Sequence, residues 1–570
     1  MKTYRSHAVS CLMLVALSIF AAGCKKKLAT EHILDALGRA VDSAPVSPGA
    51  QAARWPSVQE IYRGRKYEPI WVELNRVSDR GRDLIASLAD AESQGLRPGD
   101  YDLPGLRNAL LRAYAPKVKR DSIPAAIADL ELRLTATFLD YATHLFSGRL
   151  DAAVVDSGWF IAERRTGVDS IVRNALAEKK FADIIGRLAP RQSQYADLVK
   201  ALAEYRGLAA RGGWDSIPIP PRVKLEINDS SPLIPLVRRR LAITGELKSR
   251  ATGDSLVLDS ALAGAVALFQ ERHGLETDST IGRGTLQAMN VPVETRVGQI
   301  ELNMERYRWL PDDLGSRYIL VNIPDYHLHA FDQGREVFQM RVVVGKDYEN
   351  PTPVFADSMS YIVFRPYWNV PPSIVKEEII PLTKKDPEYI NKHNYEILRG
   401  REPVDPASID WAKVDTASFR YHIRQKPGPL NSLGLVKFMF PNQFDVYLHD
   451  TPARSLFRRA GRAASHGCIR VEKPELLAQF ALSRNPEWNP KKIREAMARE
   501  EPQQVGLRQK VPVYIVYFTT FVQDGVPRFR HDLYGTDERA IARLGEGRDD
   551  RTLRQVGTEL RTLAQIERRK

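Results

Sequence analysis

The chain has 570 residues, a length typical of three or four domains of about 150 residues each. Hydrophobic residues make up 43% and charged residues 27%, which is usual for a folded protein. The formal net charge of +13 is scattered among 70 acidic residues without a dense basic block. We therefore expect no nucleic-acid partner, and either solvated faces or attraction to an anionic surface accounts for the charge.

The N-terminus has the features of a signal peptide, which we assign to residues 1–23. Lys2 and Arg5 precede an apolar run from Ala8 to Ala22, and small residues close the run before Cys24. No later stretch supplies the roughly 20 apolar residues that a membrane-spanning helix needs.

The end of this leader also predicts an anchor. The segment Phe20-Ala21-Ala22-Gly23-Cys24 resembles the lipobox of bacterial lipoproteins, which implies lipidation of Cys24 and a lipid-anchored periplasmic protein. By the same resemblance, Lys25 favours the outer over the inner membrane if the host is Gram-negative. The alternative is that Cys24 is an ordinary core cysteine behind a cleaved leader.

Two regions follow the leader. Residues 24–56 are predicted to be a flexible tether, because they are polar and rich in Ala, Ser and Pro. Residues 57–215 are predicted to be a helical domain, with apolar residues near a 3.6 period and breaks at three glycines: Gly95, Gly148 and Gly212. No motif there carries chemistry, so its aromatic residues are assigned to the core.

A compact helical unit is predicted over residues 225–292, after the proline-rich joint Ile217–Pro221. Its second helix begins at Asp259-Ser260 and ends before Gly274. The ordered set Phe269–Leu275, Asp278 and Ile281-Gly282 resembles the three-helix peptidoglycan-binding module of bacterial wall enzymes. Glycan binding by this unit is an expectation from the resemblance.

After Trp309 the period changes from helical to alternating, which predicts a mainly-β domain over residues 315–485. Three β-rich runs predict an antiparallel meander: Tyr318–Ile323, Tyr326–Phe331 and Val337–Val344. A further strand over Phe444–Leu448 is expected to present His449 at its end. Residues 486–570 are expected to complete this domain and to end in a charged tail. The predicted fold class is therefore multidomain α+β.

Cys468 is the candidate nucleophile. Three cysteines are present, and if Cys11 leaves with the leader and Cys24 is acylated, Cys468 is the one free thiol. A thiol needs a nearby imidazole to become a thiolate, and both His449 and His466 are candidates. A buried structural thiol and zinc ligation by one cysteine and two histidines are the alternatives, and the lack of a further ligand at recognisable spacing argues against zinc.

The residues around this thiol resemble a known family. His449-Asp450-Thr451 together with Ser465-His466-Gly467-Cys468-Ile469-Arg470 is similar to the active-site signature of the L,D-transpeptidases, cysteine enzymes that cross-link bacterial peptidoglycan. The likeness extends to four further segments: Val342–Gly345 with Thr352-Pro353, Tyr367–Pro372, Arg424–Gly428 and Tyr447–Pro452. These resemble the large periplasmic members, which carry a scaffold domain, a peptidoglycan-binding module and a catalytic domain with an inserted capping subdomain, here at about residues 373–421.

The resemblance implies a role for each matching residue. Cys468 would be the nucleophile and His449 the general base. His466, Ser465 and Gly467 would support the nucleophile, and Arg470 would help to hold the active-site loop, although many simpler members have asparagine there. Substrate binding is implied for four residues of the cleft: Trp368, Asn369, Arg424 and Tyr447.

The implied reaction is a two-step acyl transfer without metal or organic cofactor. Cys468 would attack the carbonyl between the third residue of a tetrapeptide stem and its terminal D-alanine, and an amine of a second stem would then form a 3→3 cross-link in cell wall biogenesis. The partners would be donor and acceptor stem peptides and, through Cys24, the membrane. Carbapenems are expected to trap the thiol.

Two alternatives remain open. The same site could pass the acyl group to water, as an L,D-carboxypeptidase or endopeptidase, or the chain could be a non-catalytic wall-anchoring lipoprotein.

Overall fold

The computed structural model describes residues 31–43, 54–116, 118–162, 164, 168–178, 180–248, 256–346, 350–416, 418–545 and 550–566. The predicted signal peptide and Cys24 lie outside the described residues. Helices dominate the N-terminal part and strands the C-terminal part, so the predicted α+β fold with a helical region before a mainly-β region is confirmed. In these ranges no helix is both long and apolar enough to cross a membrane.

The helical N-terminal part packs around one core that includes Trp71 and Phe138. Its longest helix ends at Gly148, whose φ of +87° continues the chain in a conformation that favours glycine. The helices are α1 (31–41), α2 (Trp55–Gly64), α3 (Asp79–Ala89), α4 (Leu103–Tyr114), α5 (Ile123–Ser147), α6 (Ala152–Val155), α7 (Val168–Ala175), α8 (Phe181–Leu188) and α9 (Ser193–Ala210).

The described part of the predicted tether is not flexible, which corrects the prediction for residues 24–56. Helix α1 buries Ile33, Leu37 and Val41 in the core of the N-terminal domain. These residues recur at i, i+4 and i+8 and form an apolar stripe that the polar composition of the segment obscured. Gln59 also donates a hydrogen bond of 2.8 Å to the Val41 carbonyl, so the domain begins at or before residue 31.

Residues 224–289 form a small unit with its own core. A two-stranded sheet, β1 (Lys224–Leu225) with β2 (Ile281–Gly282), joins its ends. Its helices are α10 (Ile234–Ile243), α11 (Ser260–Arg272) and α12 (Arg283–Met289). The three predicted helices are present, and peptidoglycan binding by the unit stays a prediction.

A long helix that the sequence did not reveal, α13 (Val293–Trp309), connects the parts of the molecule. Fifteen of its residues are buried, among them Glu305, Arg306 and Arg308. Arg308 pairs with Glu305 at 2.7 Å, and Arg306 pairs with Asp537 at 2.8 Å. Charged side chains are typical of an exposed helix, and their burial is explained by the ion pair within α13 together with partners from other elements, such as Asp537 and Tyr195.

The mainly-β domain is a closed barrel. Its strands are β3 (Tyr318–Asn322), β4 (His327–Asp332), β5 (Arg335–Gly345), β6 (Phe355–Phe364), β11 (Val436–Met439), β12 (Leu448–His449), β14 (Ile469–Val471) and β15 (Gln503–Val516). They lie in the order β5-β14-β12-β11-β6-β15-β3-β4, and β4 pairs back with β5. The short β13 (Ala463–Ser465) adds to the end of β5. The antiparallel meander β3-β4-β5 is confirmed.

The predicted strand over Phe444–Leu448 is wrong for most of its length, since only Leu448 and His449 are in a strand. The Asn442 side chain accepts hydrogen bonds from the backbone of Phe444 and Val446, at 3.0 and 3.3 Å. A side chain that satisfies nearby backbone groups competes with the sheet ladder and produces a turn.

An insert lies between β6 and β11 and has its own core. Its sheet has the order β7-β10-β8-β9, with β7 (Trp368–Asn369), β8 (Tyr395–Arg399), β9 (Glu402–Val404) and β10 (His422–Gln425). Its helices are α14 (Pro372–Ile374), a π-helical turn (Val375–Ile379), α15 (Ile380–Lys385) and α16 (Tyr389–Lys392). We call residues 368–425 the insert; that it caps the substrate stays a prediction.

The C-terminal region contributes to both large domains. The remaining elements are α17 (Pro474–Leu482), α18 (Pro490–Ala498), β16 (Thr520–Gln523), β17 (Val526–Phe529), α19 (Asp537–Gly545) and α20 (Asp550–Leu563). Helix α20 packs on the N-terminal domain and buries Leu560 in its core, so the expected charged tail is folded. Val556, Leu560 and Leu563 form an apolar stripe within that charged sequence.

Candidate active site

The register of three barrel strands brings the reactive residues onto one outer face. His449 in β12 pairs with Lys437 of β11 on one side and with Arg470 of β14 on the other. Leu448 and Ile469 between them are fully buried in the barrel core. Because alternate residues of a strand share a face, the outer face carries five such side chains: Lys437, Tyr447, His449, Cys468 and Arg470.

The loop that presents Cys468 is built from hydrogen bonds to its neighbours. Ser465 donates to the Cys468 carbonyl at 2.5 Å and accepts from the Gly467 N–H at 3.2 Å. Thr352 donates to the Gly467 carbonyl at 2.8 Å and accepts from Gly345 at 2.9 Å. Gly467 has a φ of +104°, which disfavours residues with a Cβ. Ser465 and Gly467 therefore shape the loop beside the thiol, and their supporting role in catalysis stays a prediction.

Cys468 lies half-buried at the wall of a cleft of about 650 Å³. Its thiol donates a hydrogen bond to the Asp445 carbonyl at 3.7 Å. The cleft is lined by residues of the barrel and the insert, among them Asn369, His422, Lys437, Phe444 and His466. The sulfur thus has an acceptor for its thiol form, whereas Tyr447, Lys437 and Arg470 lower the pKa of the thiol and favour the thiolate form.

Burial and the neighbouring polar groups have opposite effects on the pKa of the Cys468 thiol. Burial raises the pKa of the Cys468 thiol, whereas Tyr447, Lys437 and Arg470 lower it. Burial, together with the nearby Arg470, lowers the pKa of His449 to about 3, so its imidazole is neutral near pH 7. His449 Nδ1 lies 2.5 Å from the Asp450 carbonyl, which assigns the hydrogen to Nδ1 and leaves Nε2 as a proton acceptor. His449 therefore has the tautomer that a general base requires.

His466 has a different environment from His449. Its Nε2 lies 2.7 Å from a carboxylate oxygen of Glu378 in the insert. The contact joins the active-site loop to the insert across the cleft. Since this nitrogen already has a partner, the arrangement favours His449 over His466 as the base.

The predicted substrate-binding residues differ in position. Asn369 lines the cleft, and its side-chain oxygen lies 3.0 Å from His422. Trp368 packs against Tyr395 in the insert, with the two ring centroids 6.3 Å apart. Arg424 is not brought to the cleft lining, because it pairs with Glu396 and lies over the ring of Tyr367 at 4.2 Å. A substrate contact of Arg424 stays a prediction.

Arg470 is the residue predicted to help hold the active-site loop. The Arg470 side chain lies beside Cys468 and Glu378, whose charges oppose the burial that lowers its pKa. It therefore contributes charge at the site, and the contacts that shape the loop come from Ser465 and Thr352.

In the part of the chain that the structure describes, no group of three or more His, Cys, Asp or Glu side chains could hold a metal ion.

The sequence interpretation missed three groups of the site: Lys437, the Glu378 carboxylate and the Asp445 carbonyl. The one local signal was a lysine inside the apolar strand Val436–Met439, since a charge in such a strand marks a surface or a site. Glu378 lies 88 positions before its partner His466, and no sequence pattern connects the two.

Comparison with known proteins gives two matches to described domain families. Residues 316–514 match the L,D-transpeptidase catalytic domain, and residues 56–202 match a scaffold domain. A curated relative from Haemophilus influenzae, described as a putative L,D-transpeptidase, is 36% identical over 271 residues. That alignment covers 46% of this chain and 54% of the relative, so the chain spans about half the length of the curated relative it matches.

Two solved structures also resemble part of the chain. One is an L,D-transpeptidase from Xylanimonas cellulosilytica, with 15% identity and a TM-score of 0.16, covering 52% of this chain and 100% of that one. The other is a fused Zn-dependent amidase/peptidase/peptidoglycan-binding domain-containing protein from Clostridium acetobutylicum, with 9% identity and a TM-score of 0.14, at the same coverage. Superpositions this weak carry no information about function.

Proposed function

We propose that the chain forms 3→3 cross-links between peptidoglycan stem peptides through an acyl-enzyme on Cys468, because residues 316–514 match the L,D-transpeptidase catalytic domain. The observation that carries the proposal is the position of the thiol. Cys468 lies half-buried at the wall of a 650 Å³ cleft, on the same barrel face as a neutral histidine with a free Nε2.

The first step is acylation of the thiol. As the proton moves from Sγ to His449 Nε2, the sulfur attacks the carbonyl carbon before the terminal D-alanine of a donor tetrapeptide, and the carbonyl electron pair moves to oxygen. When the carbonyl reforms, the C–N bond breaks, and His449 returns the proton to the leaving amine. The products are a thioester on Cys468 and free D-alanine.

The second step is transfer to an amine. The side-chain amine of the diamino acid of a second stem attacks the thioester carbon, and His449 accepts its proton. The C–S bond breaks, the thiolate regains the proton, and an amide joins the two stems. Lys437 and Arg470 supply positive charge on this face, which favours the thiolate and the carboxylates of the stem peptides.

The wall and the membrane are the proposed partners. Lipidation of Cys24 would anchor the protein, and the unit at residues 224–289 would bind peptidoglycan and raise the local substrate concentration. This proposal is supported by the lipobox-like segment and by the three helices of the unit. The outer membrane is the proposed location, because Lys25 follows the cysteine.

The test is incubation of the purified protein with tetrapeptide-bearing muropeptides, with products identified by mass. We expect cross-linked dimers and released D-alanine from the wild type, and no product from Cys468→Ala at unchanged thermal stability. Trimmed tripeptides without dimers would instead show a hydrolase, because water would be the acceptor. Cross-linking by Cys468→Ala would refute the acyl-enzyme.

A further inference from the structure

A second cavity, of about 390 Å³, lies outside the cleft that holds the thiol. Three parts of the chain meet there: the unit at residues 224–289, the barrel, and the hairpin of β16 and β17. Residues of the segment 458–462, which leads to β13 and then to the thiol, also line it. The cavity shares no lining residue with the cleft, and the two-step reaction gives it no task. We call it the arginine cavity.

The lining of the arginine cavity carries more positive than negative charge. Its carboxylates are three: Glu271, Glu276 and Asp325. Its arginines are six: Arg341, Arg458, Arg459, Arg462, Arg528 and Arg530. Three of these arginines have a carboxylate partner, in the pairs Arg341–Glu472, Arg528–Glu271 and Arg530–Asp325 at 3.8, 3.0 and 2.6 Å. Among the described residues no carboxylate pairs with the other three, so the cavity has a surplus of positive charge.

Arg462 is the buried member of the three arginines without an ion pair. Its guanidinium donates to four main-chain carbonyls at 2.7 to 3.4 Å, which fixes the side chain without neutralising its charge. Burial and the nearby Arg341 lower the pKa of Arg462 to about 10. Asp325 opposes this effect, but its carboxylate is already paired with Arg530. An anion in the cavity would supply the counter-charge that Arg462 lacks.

The small unit of α10 to α12 is held against the barrel at this cavity. Glu276 of the unit accepts a hydrogen bond of 3.2 Å from the Ala460 N–H. Arg272 donates to the Pro527 carbonyl of the hairpin at 2.7 Å, and its own carbonyl accepts from Arg530 at 2.9 Å. A ligand in the arginine cavity would therefore contact the unit on one side and, on the other, the segment that continues to the thiol.

We propose that the arginine cavity binds a free carboxylate of a peptidoglycan stem peptide and so holds one stem of the wall beside the segment that carries the thiol. Guanidinium groups pair with carboxylates through two parallel hydrogen bonds, and surplus positive charge attracts such groups from a distance. A stem peptide has a carboxylate at its end, and the volume of the cavity is in the range of small-ligand sites. The inference rests on the proposed function in taking the stem peptide as the ligand.

The position of the cavity gives such binding a consequence for the reaction. Because the cavity and the cleft share no lining residue, a stem held in the cavity leaves the thiol free. Neighbouring stems of the same strand would then be at a higher local concentration near the cleft. Charge alone would also admit inorganic phosphate, so the test compares the two anions.

The experiment is hydrogen exchange of the full chain carrying Cys468→Ala, which removes the nucleophile so that the probe is not consumed. The probe is a disaccharide tetrapeptide, titrated while exchange is read from peptide masses. Peptides from residues 270–278 and 454–463 report on the arginine cavity, and peptides from residues 436–447 report on the cleft. We expect slower exchange in the cavity peptides, with a midpoint concentration that measures binding at this site.

Two double variants identify the charge that binds the probe. Arg458→Gln with Arg459→Gln removes two exposed cations of the cavity and leaves the side chain of Arg462 in place. We expect the midpoint of the cavity peptides to rise about tenfold and that of the cleft peptides to stay unchanged. Arg494→Gln with Arg499→Gln is the matched control, because it removes two exposed arginines that line neither the cavity nor the cleft, and it should shift neither midpoint.

Two further ligands test the chemistry of recognition. The same muropeptide with its carboxylates converted to amides should not slow exchange in the cavity peptides, and equal slowing would overturn the proposal. Inorganic phosphate at the same concentration should have no comparable effect, and equal slowing would assign the cavity to general anion binding and overturn the stem peptide as its ligand. A wild-type midpoint in the variant without Arg458 and Arg459 would also overturn it.

Hydrogen exchange involves no transfer reaction, so its outcome is separate from that of the cross-linking assay. A protein that forms dimers while its cavity peptides show no slowing contradicts the role of the cavity alone. Slowing that depends on Arg458 and Arg459, in a protein whose wild type forms no dimers, contradicts the proposed reaction alone.

Discussion

Replacing Gly467 with alanine tests whether the backbone conformation beside the thiol sets the rate of acylation. Gly467 has a φ of +104°, whereas a Cβ added there would meet no atom closer than 3.7 Å. Steric overlap is therefore absent, and the strain comes from the backbone dihedral. Such a conformation costs a residue with a Cβ about 1–3 kcal/mol.

This strain acts on the hydrogen bonds that position the sulfur. If Gly467→Ala relaxes its backbone, the contacts of its N–H with Ser465 and of its carbonyl with Thr352 weaken. If the whole 1–3 kcal/mol appears in the transition state of acylation, the rate falls about 5-fold to 150-fold, since about 1.4 kcal/mol corresponds to tenfold.

The assay is the second-order rate constant for acylation by a carbapenem, measured by intact mass. Gly461→Ala is the matched control, because it makes the same change six residues earlier, in the loop before β13, with no atom within 4 Å of the added Cβ and no φ in the left-handed region. We expect the control to react like the wild type. Equal rates for the two variants would refute the argument from backbone strain.

Two further predictions concern regions outside the barrel. The ring centroids of Phe160 and Phe444 lie 4.6 Å apart, and Phe444 precedes Asp445, whose carbonyl accepts the hydrogen bond from the thiol. Phe160→Ala should therefore slow acylation about twofold to tenfold, whereas Leu268→Ala on the exposed face of α11 should not slow it. Equal effects of the two changes would contradict a link between Phe160 and the site. Cys24→Ala should move the protein from the membrane fraction to the soluble fraction with unchanged acylation in vitro, and retention in the membrane fraction would contradict the anchor. If Cys24 carries a lipid, the six residues between it and residue 31, where the described part of α1 begins, would reach at most about 20 Å and would keep the folded domain near the membrane.

The candidate residues of the site were identifiable from short segments. A cysteine and a histidine within a six-residue signature, and a second histidine in a neighbouring motif, were sufficient to nominate Cys468 and His449. Gly467 belonged to the same signature, but its left-handed backbone conformation is known only from the structure. The alternating pattern of β3, β4 and β5 revealed the meander, since strand faces repeat every two residues.

Other features depended on which segments meet in space. The charged sequences of α13 and α20 resemble exposed helices, and only their ion pairs and apolar contacts with distant segments bury them. The turn at Asn442 replaced a strand that β propensity favours, because one side chain satisfied the local backbone.

By itself, then, the sequence indicated a candidate nucleophile and two candidate bases, because a cysteine and two histidines stand in short motifs that resemble a known signature, and it gave the order of helical and β-rich regions, because that follows from local periodicity. Only the tertiary structure decided which histidine keeps Nε2 as a proton acceptor, that Glu378 contacts His466 across the cleft, and that Lys437 lies over the Tyr447 ring. Those relations join residues from different strands and from the insert. Strand register and barrel closure place them together, and both depend on long-range pairing that no local pattern encodes.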